Sequence, residues 1–182
     1  MIHPPSANES LKKSKRKALF TILGVPWTVT ERSLLFVPTR LGFGAILAML
    51  FLRDYGRGER VRYGAIFGAL TLVTNGIHIL GHTLGGRRVG SPMNENLITE
   101  TSIFTVYHGD QGEVPRRVHL SRALGGPLAN ILAGLATLPL WPVFPGPAVR
   151  FFTLLNFLFG FAVSLPVPDA DGEVIWRELL RS

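Results

Sequence analysis

His78 and His82 are the residues whose type and spacing most clearly suggest chemistry. They lie four residues apart in an apolar segment, residues 63–84, that contains no Lys, Arg, Asp or Glu. In a helix, residues four apart share one face and lie one turn from each other. Two imidazoles on one face supply half of the ligands of a tetrahedral zinc ion. The spacing therefore predicts half of a metal site within an apolar helix.

The residue that follows the first histidine limits what such a site can do. In the His-Glu-x-x-His pattern, two histidines bind zinc and the Glu acts as a general base. In this sequence Ile79 occupies that position. Because an aliphatic side chain cannot carry a proton, the sequence predicts metal ligands without the usual base, and no catalytic residue is assigned.

Composition places the histidine pair in a membrane protein. The chain has 182 residues, of which 47% are hydrophobic and only 17% are charged, against about 25% charged in soluble domains. It has no cysteine, so a metal must be bound by His, Asp or Glu. The net charge of +7 indicates membrane topology and contact with anionic lipid. No basic face carries interleaved aromatic residues, so nucleic acid is not an expected partner.

The apolar runs predict an all-α polytopic fold of about four transmembrane helices. A basic cytoplasmic tail and an interfacial segment, residues 1–33, precede a membrane domain at residues 34–182. The first run has 19 residues and spans about 28 Å, roughly the hydrocarbon thickness; a buried interfacial helix is the alternative there. The predicted spans are residues 34–52, 63–84, 124–144 and 149–165.

The polar loop between the second and third spans, residues 85–123, predicts a small β-hairpin insert. Its residues 97–107 are rich in Ile, Thr, Val, Phe and Tyr, which favours a strand. A turn is expected at residues 109–112 and the returning strand at 113–120. The edge of such a hairpin could pair with an extended peptide. An ordinary connector is the alternative.

The distribution of basic residues predicts that both termini are cytoplasmic. Seven Lys and Arg lie in residues 1–40, five in residues 85–123 and two in the C-terminal tail, so 14 of the 19 would be inside. The four arginines of residues 53–62 are an exception. We expect an integral membrane protein of the cell membrane. This topology brings the histidine pair, Asn130, Asp169 and Asp171 to the cytoplasmic side, and ionisable residues at membrane depth are functional candidates.

Three motifs in order carry a resemblance to a known family. They are His78-Ile-Leu-Gly-His82, residues 126–130 (Gly-Pro-Leu-Ala-Asn) and residues 165–172 (Leu-Pro-Val-Pro-Asp-Ala-Asp-Gly). Over residues 63–180 the chain resembles the site-2 protease family of intramembrane zinc metalloproteases. The resemblance implies a site-2 protease-like core.

The resemblance also implies roles for particular residues. His78, His82 and Asp171 would be zinc ligands, with a water in the fourth position. The residues implied to line the cavity are Gly126, Pro127, Asn130 and Asp169. The chain departs from the family pattern at Ile79, and at Val163, which stands where the family often has an Asn. The nearest Asn is Asn156, two helical turns earlier.

These departures favour a catalytically impaired homologue that binds a transmembrane client without cutting it. One alternative is an active zinc protease whose general base has moved to Asp169, Glu173, Glu95 or Glu100. Another is a metal-free membrane scaffold or transport-related protein.

The individual residues could also have purely structural roles. The histidines could form hydrogen bonds between helices. Asp171 could be the N-cap of a helix at residues 173–180, which would leave Asp169 as a substitute ligand.

Overall fold

The computed structural model describes residues 15–108 and 114–181 as five α-helices, two short 3₁₀ segments and four strands. The short 3₁₀ segments are Glu31–Leu35 and Leu138–Leu140. The strands are β1 (Lys17–Ile22), β2 (Val25–Val29), β3 (Glu95–Ile98) and β4 (Ile103–Val106). The helices are α1 (Phe36–Phe51), α2 (Arg57–Arg88), α3 (Arg116–Thr137), α4 (Pro147–Ala162) and α5 (Asp171–Leu180).

Three helical segments of the described chain are long and apolar enough to cross a membrane. They are Glu31–Phe51, Arg57–Arg88 and Arg116–Leu140. The prediction of four comparable spans is corrected here, because α4 has only 16 residues and at 1.5 Å per residue extends about 24 Å. The second and third helices also begin earlier than predicted, since both open with arginine-rich turns that hydropathy alone assigns to loops.

Helix α2 lies at the centre of the bundle and packs closely on both α1 and α3. A Cβ on Gly44 of α1 would lie 2.2 Å from the backbone nitrogen of Gly68 in α2. A Cβ on Gly81 of α2 would lie 2.3 Å from the carbonyl oxygen of Gly125 in α3. Small residues let backbones approach in this way inside a membrane. The contact with α3 holds the histidine-bearing turn of α2 in place.

The four strands form one sheet in the order β1-β2-β3-β4. β1 and β2 pair antiparallel, β2 and β3 pair parallel, and β3 and β4 pair antiparallel. The sheet therefore includes residues 17–29, which were expected to be an interfacial segment; residues 1–14 lie outside the described chain.

The predicted hairpin between the second and third spans is wrong in its register. Both β3 and β4 lie within or beside the segment predicted as one strand, and they turn between Thr99 and Ser102, where Thr99 N–H donates to the Ser102 carbonyl at 2.9 Å. Residues 116–120, predicted as the returning strand, open α3 instead. The predicted turn at residues 109–112 lies outside the described residues.

The start of α5 is fixed by a glycine. The N–H of Gly172 donates to the carbonyl of Val163 at 2.7 Å. A Cβ at this position would lie 1.9 Å from the carbonyl oxygen of Leu165, so only glycine fits. This contact places Asp171, the first residue of α5, against the middle of the bundle.

Candidate metal centre

Three buried or half-buried side chains from two helices meet at one point. Nε2 of His78 and Nε2 of His82 lie 3.0 Å apart. The carboxylate of Asp171 completes the group, with Oδ2 at 3.0 Å from Nε2 of His78 and Oδ1 at 3.3 Å from Nε2 of His82. In the described chain, these three residues are the group of His, Asp and Glu side chains that could hold a metal ion. The histidine pair predicted from its spacing and the aspartate of the motif at residues 165–172 therefore converge in the fold.

The separations of the donor atoms fit a tetrahedral ion. Zinc binds imidazole nitrogen and carboxylate oxygen at about 2.0–2.1 Å, so two ligand atoms at tetrahedral corners are about 3.3 Å apart. The three shortest donor separations here are 3.0, 3.0 and 3.3 Å. Three protein ligands also leave a fourth corner free, as in catalytic zinc sites.

The far nitrogen of each imidazole is held by an acceptor. Nδ1 of His78 lies 2.7 Å from Oδ1 of Asn130, and Nδ1 of His82 lies 2.7 Å from the carbonyl oxygen of Arg122. The Asn130 amide nitrogen donates elsewhere, which identifies Oδ1 as the acceptor. Each Nδ1 therefore faces an acceptor, and each Nε2 faces the carboxylate of Asp171. Ligating histidines are oriented by this kind of contact.

Asp171 is not the N-cap of α5. The N-cap residue is Ala170, no side chain caps the helix, and Asp171 is its first residue. Burial favours the neutral carboxyl, but the contacts with His78 and His82 outweigh burial and lower the pKa of Asp171 to about 2. The carboxylate is thus ionised at neutral pH, which is the form that binds a metal. Asp169, the alternative ligand, lies outside the cluster; its N–H donates to Glu173 at 2.9 Å.

Gly126 of α3 lies directly against the two imidazoles. A Cβ there would be 2.5 Å from Nε2 of His82 and 2.7 Å from Nε2 of His78. Since non-bonded carbon contacts are most favourable near 3.5–4.0 Å, the added atom would displace both metal-facing nitrogens. The imidazoles therefore leave no room for a side chain at Gly126, the first residue of the second motif. Pro127, the next residue, is fully buried at the contact with α4.

We expect Gly126→Ala to weaken zinc binding by at least about 100-fold, the upper end of what changes beside the ligands usually cost. Alanine favours a helix over glycine by up to about 1 kcal/mol, so the helix itself should not be destabilised. Competitive titration against a chelator measures the affinity. Gly76→Ala in α2 is the matched control, because a Cβ there would meet nothing within 4 Å. Equal affinities for the two variants would contradict this placement of Gly126.

Asn130 connects the site to a second buried amide that sequence reasoning did not assign a role. Asn130 Nδ2 donates to Oδ1 of Asn156 at 2.8 Å, and Asn156 Nδ2 donates to Oγ1 of Thr74 at 3.2 Å. Both asparagines are 0% exposed. Asn156 thus fixes the amide of Asn130, which in turn orients His78. A polar residue in the middle of the apolar segment 149–165 was the available signal.

Asn156→Ala should lower zinc affinity about 10-fold, because Asn130 then loses the acceptor that holds its amide and second-layer contacts of metal sites are worth about 10–100-fold. The control is Asn75→Ala, a buried asparagine whose amide donates to the Thr71 carbonyl of its own helix at 2.7 Å. A loss of zinc affinity in Asn75→Ala as large as in Asn156→Ala would refute the positioning role.

A cavity of about 650 Å³ opens beside the cluster, bounded by α2, α4, α5 and β4. Ile79 lines it and is only 3% exposed. Asp169 and Glu173 also line it, whereas Glu95 and Glu100 are not among its lining residues. The carboxylate of Glu95 instead accepts a hydrogen bond from Thr28 at 2.6 Å and pairs with Arg16.

The outer strand of the sheet forms one wall of this cavity. β4 pairs with β3 and is last in the strand order. Residues 102–105 line the same cavity as the cluster.

Arg122 connects this wall to the site. Its guanidinium lies 4.0 Å from the ring of Tyr107 and donates to the Ser91 carbonyl at 2.9 Å. Its own carbonyl oxygen lies 2.7 Å from Nδ1 of His82. Burial raises the pKa of Tyr107, which keeps its hydroxyl protonated.

The fold is similar to that of a site-2 protease. The chain is similar to the solved structure of the site-2 protease from Methanocaldococcus jannaschii, with 22% sequence identity, a TM-score of 0.65, and coverage of 91% of this chain and 72% of that one. No protein-family model matches the sequence, and the comparison with curated proteins gives no match. The similarity establishes a site-2 protease-like fold, and with three apolar helices of spanning length it describes an integral membrane protein.

Proposed function

We propose that this protein is a site-2 protease-like membrane protein that holds zinc and binds a membrane protein segment without cleaving it. The observation that carries the proposal is the meeting of His78, His82 and Asp171 at donor separations of 3.0–3.3 Å, beside Ile79. These three side chains could hold a metal ion, and the residue where the family has its base is aliphatic. The cell membrane and two cytoplasmic termini remain part of this proposal.

The residues around the site divide into those that bind and those that orient. His78, His82 and Asp171 would hold the ion, while Asn130 and the Arg122 carbonyl fix the rings. Zinc would lower the pKa of a bound water to about 7. Peptide hydrolysis also needs a proton delivered to the leaving amine, and Ile79 cannot deliver one. Loss of a positioned general acid–base costs about 10²–10⁴-fold, which supports binding without turnover.

The partner that fits the cavity is an extended peptide segment. β4 offers an outer edge along the cavity, and residues 102–105 lie where such a segment would pass the cluster. Pairing through the main chain gives affinity with little dependence on sequence. A transmembrane segment that unwinds near the membrane surface would present such a strand.

The test is a binding and cleavage experiment on the wild-type protein with a single-span substrate in detergent, with zinc added. The proposal predicts cross-linking of the substrate to residues of β4 and no product fragments. Fragments that disappear when a chelator is added would show a working protease and refute the non-cleaving assignment.

A working protease with a relocated base is the second candidate, and one observation favours it. Asp169 and Glu173 line the same cavity as the cluster. If the wild type cleaves, Glu173→Gln and Asp169→Asn identify the base by a loss of about 10²–10⁴-fold in rate. The variant Glu100→Gln is the control, since its carboxylate lies outside the cavity lining.

A further inference from the structure

A second cavity, of about 680 Å³, lies between α1 and α4 on the part of α2 remote from the histidines. It is apolar along its length, and α2 contributes Phe67, which stacks on Phe151 of α4 at a centroid distance of 4.0 Å. Its remaining walls include Phe43, Leu47, Leu154 and Leu158. Two of these side chains, Leu154 at 56% and Leu158 at 67%, are more than half exposed, so the cavity is open on the side that would face the hydrocarbon.

The polar lining of this cavity is confined to its end. Tyr55, in the loop before α2, and Arg150, in the first turn of α4, line it there. The guanidinium of Arg150 is 6.0 Å from the ring centroid of Trp141, so an aromatic ring lies beside this polar end. The loop and the start of α4 belong to one membrane face, because Gly146 lies within 3.9 Å of the Tyr63 hydroxyl by its Cβ position.

That membrane face is basic. Residues 53–62 contribute four arginines against Asp54 and Glu59, and Arg150 adds a fifth positive charge. These are the arginines that the positive-inside rule leaves unexplained, since they lie on the face opposite to the majority of Lys and Arg. A requirement for anionic ligands at this face would account for them independently of topology.

The dimensions of the cavity, about 680 Å³, suit a chain-like occupant. The volume lies within the usual range of small-molecule sites, about 300–1,000 Å³. An acyl chain is narrow enough to extend along the cavity, with its headgroup at the polar end.

We propose that the cavity between α1 and α4 binds an anionic phospholipid, with an acyl chain between Leu47 and Leu154 and the phosphate at Arg150. The apolar walls supply affinity by burying hydrocarbon. Arg150 supplies selectivity, because its guanidinium attracts a phosphate whose negative charge is not offset by a positive group in the same headgroup. This site is separate from the candidate metal centre and does not depend on the proposed function.

Native mass spectrometry of the full-length protein in detergent tests the proposal, with phosphatidylglycerol and phosphatidylcholine as the probes. We expect phosphatidylglycerol to bind about 5-fold more tightly to the wild type, because Arg150 attracts its net negative charge, whereas the choline ammonium of phosphatidylcholine offsets the phosphate charge. Arg150→Gln should abolish that preference and Arg150→Lys should keep part of it. Arg57→Gln removes an exposed charge from the same face outside the cavity and should leave the preference unchanged.

A second pair of variants tests the apolar part of the site. Leu154→Trp fills the cavity and should remove most lipid binding, whereas Leu132→Trp, at a residue 63% exposed outside the cavity, should not. Equal affinity of the wild type for the two lipids overturns the proposal, and so does an unchanged preference in Arg150→Gln. Undiminished lipid binding in Leu154→Trp, or a co-purifying protein that excludes lipid from the cavity, also overturns it.

Discussion

Replacement of both His78 and His82 by alanine should reduce the bound zinc from about one ion per chain to background. The double variant keeps Asp171 as the sole member of the cluster, and one carboxylate cannot replace three converging ligands. Zinc sites with a full ligand set are worth about 10–16 kcal/mol in small domains, so the loss should be complete rather than partial. Elemental analysis after dialysis against metal-free buffer measures it.

The matched control for this variant removes two histidines outside the cluster. His108→Ala/His119→Ala changes the same number of imidazoles and should retain zinc, since neither residue belongs to the group that could hold a metal. Near-zero zinc in the wild type and in both variants would contradict the assignment of a metal site. Undiminished zinc in His78→Ala/His82→Ala would show that the ion binds elsewhere.

Introduction of a carboxylate by Ile79→Glu should create zinc-dependent proteolysis that the wild type lacks. Ile79 lines the cavity beside both histidines, so the new side chain could reach a water on the ion. A positioned general acid–base contributes about 10²–10⁴-fold, and we expect the rate of substrate cleavage to rise by that factor. The appearance of fragments of a single-span substrate, followed on gels, measures the rate.

Two further variants distinguish the effect of a general base from the effect of adding a polar side chain. Ile79→Gln has a similar size and is polar, but it cannot accept a proton at neutral pH, so it should remain inactive. Combination of Ile79→Glu with His78→Ala should abolish the new activity. A folded, zinc-loaded Ile79→Glu protein without any cleavage would contradict the proposal that Ile79 alone makes the site inactive.

The helices and the cluster were predictable from sequence because their signals are local and strong. Hydropathy located the apolar cores of α2 and α3, and the spacing of His78 and His82 predicted that they share a face. The family resemblance identified Asp171 as the third member, and the structure brings it within 3.3 Å of the imidazoles. Its role as a zinc ligand stays a prediction until metal is measured.

The sheet was harder to predict because the β2–β3 pairing is non-local and the turn between β3 and β4 lacks the usual residues. β2 and β3 pair in parallel, with Trp27 opposite Asn96, which no local pattern reveals. The turn from β3 to β4 contains neither Gly nor Pro and is held by Thr99, whose hydroxyl donates to the Ser102 carbonyl at 2.9 Å. A continuous run of strand-forming residues concealed that turn, so one strand was predicted where there are two.

The end of the second predicted span was wrong for a related reason. The span was predicted to end at residue 84, before Gly85 and Gly86, yet α2 continues to Arg88. A Cβ on Gly85 would lie 2.3 Å from the carbonyl oxygen of Ser121 in α3. Glycine is therefore required there by close packing of two helices, which depends on tertiary contacts that the sequence does not display.

The most direct test of the central claim is X-ray absorption spectroscopy at the zinc edge of the wild-type protein loaded with one equivalent of zinc. The account predicts a four-coordinate ion with two imidazole ligands at about 2.0–2.1 Å and oxygen ligands at about 2.0–2.2 Å, from Asp171 and water. The imidazole signal should disappear in His78→Ala/His82→Ala. A six-coordinate, all-oxygen shell without imidazole in the wild type would contradict the assignment of His78, His82 and Asp171 as a metal centre.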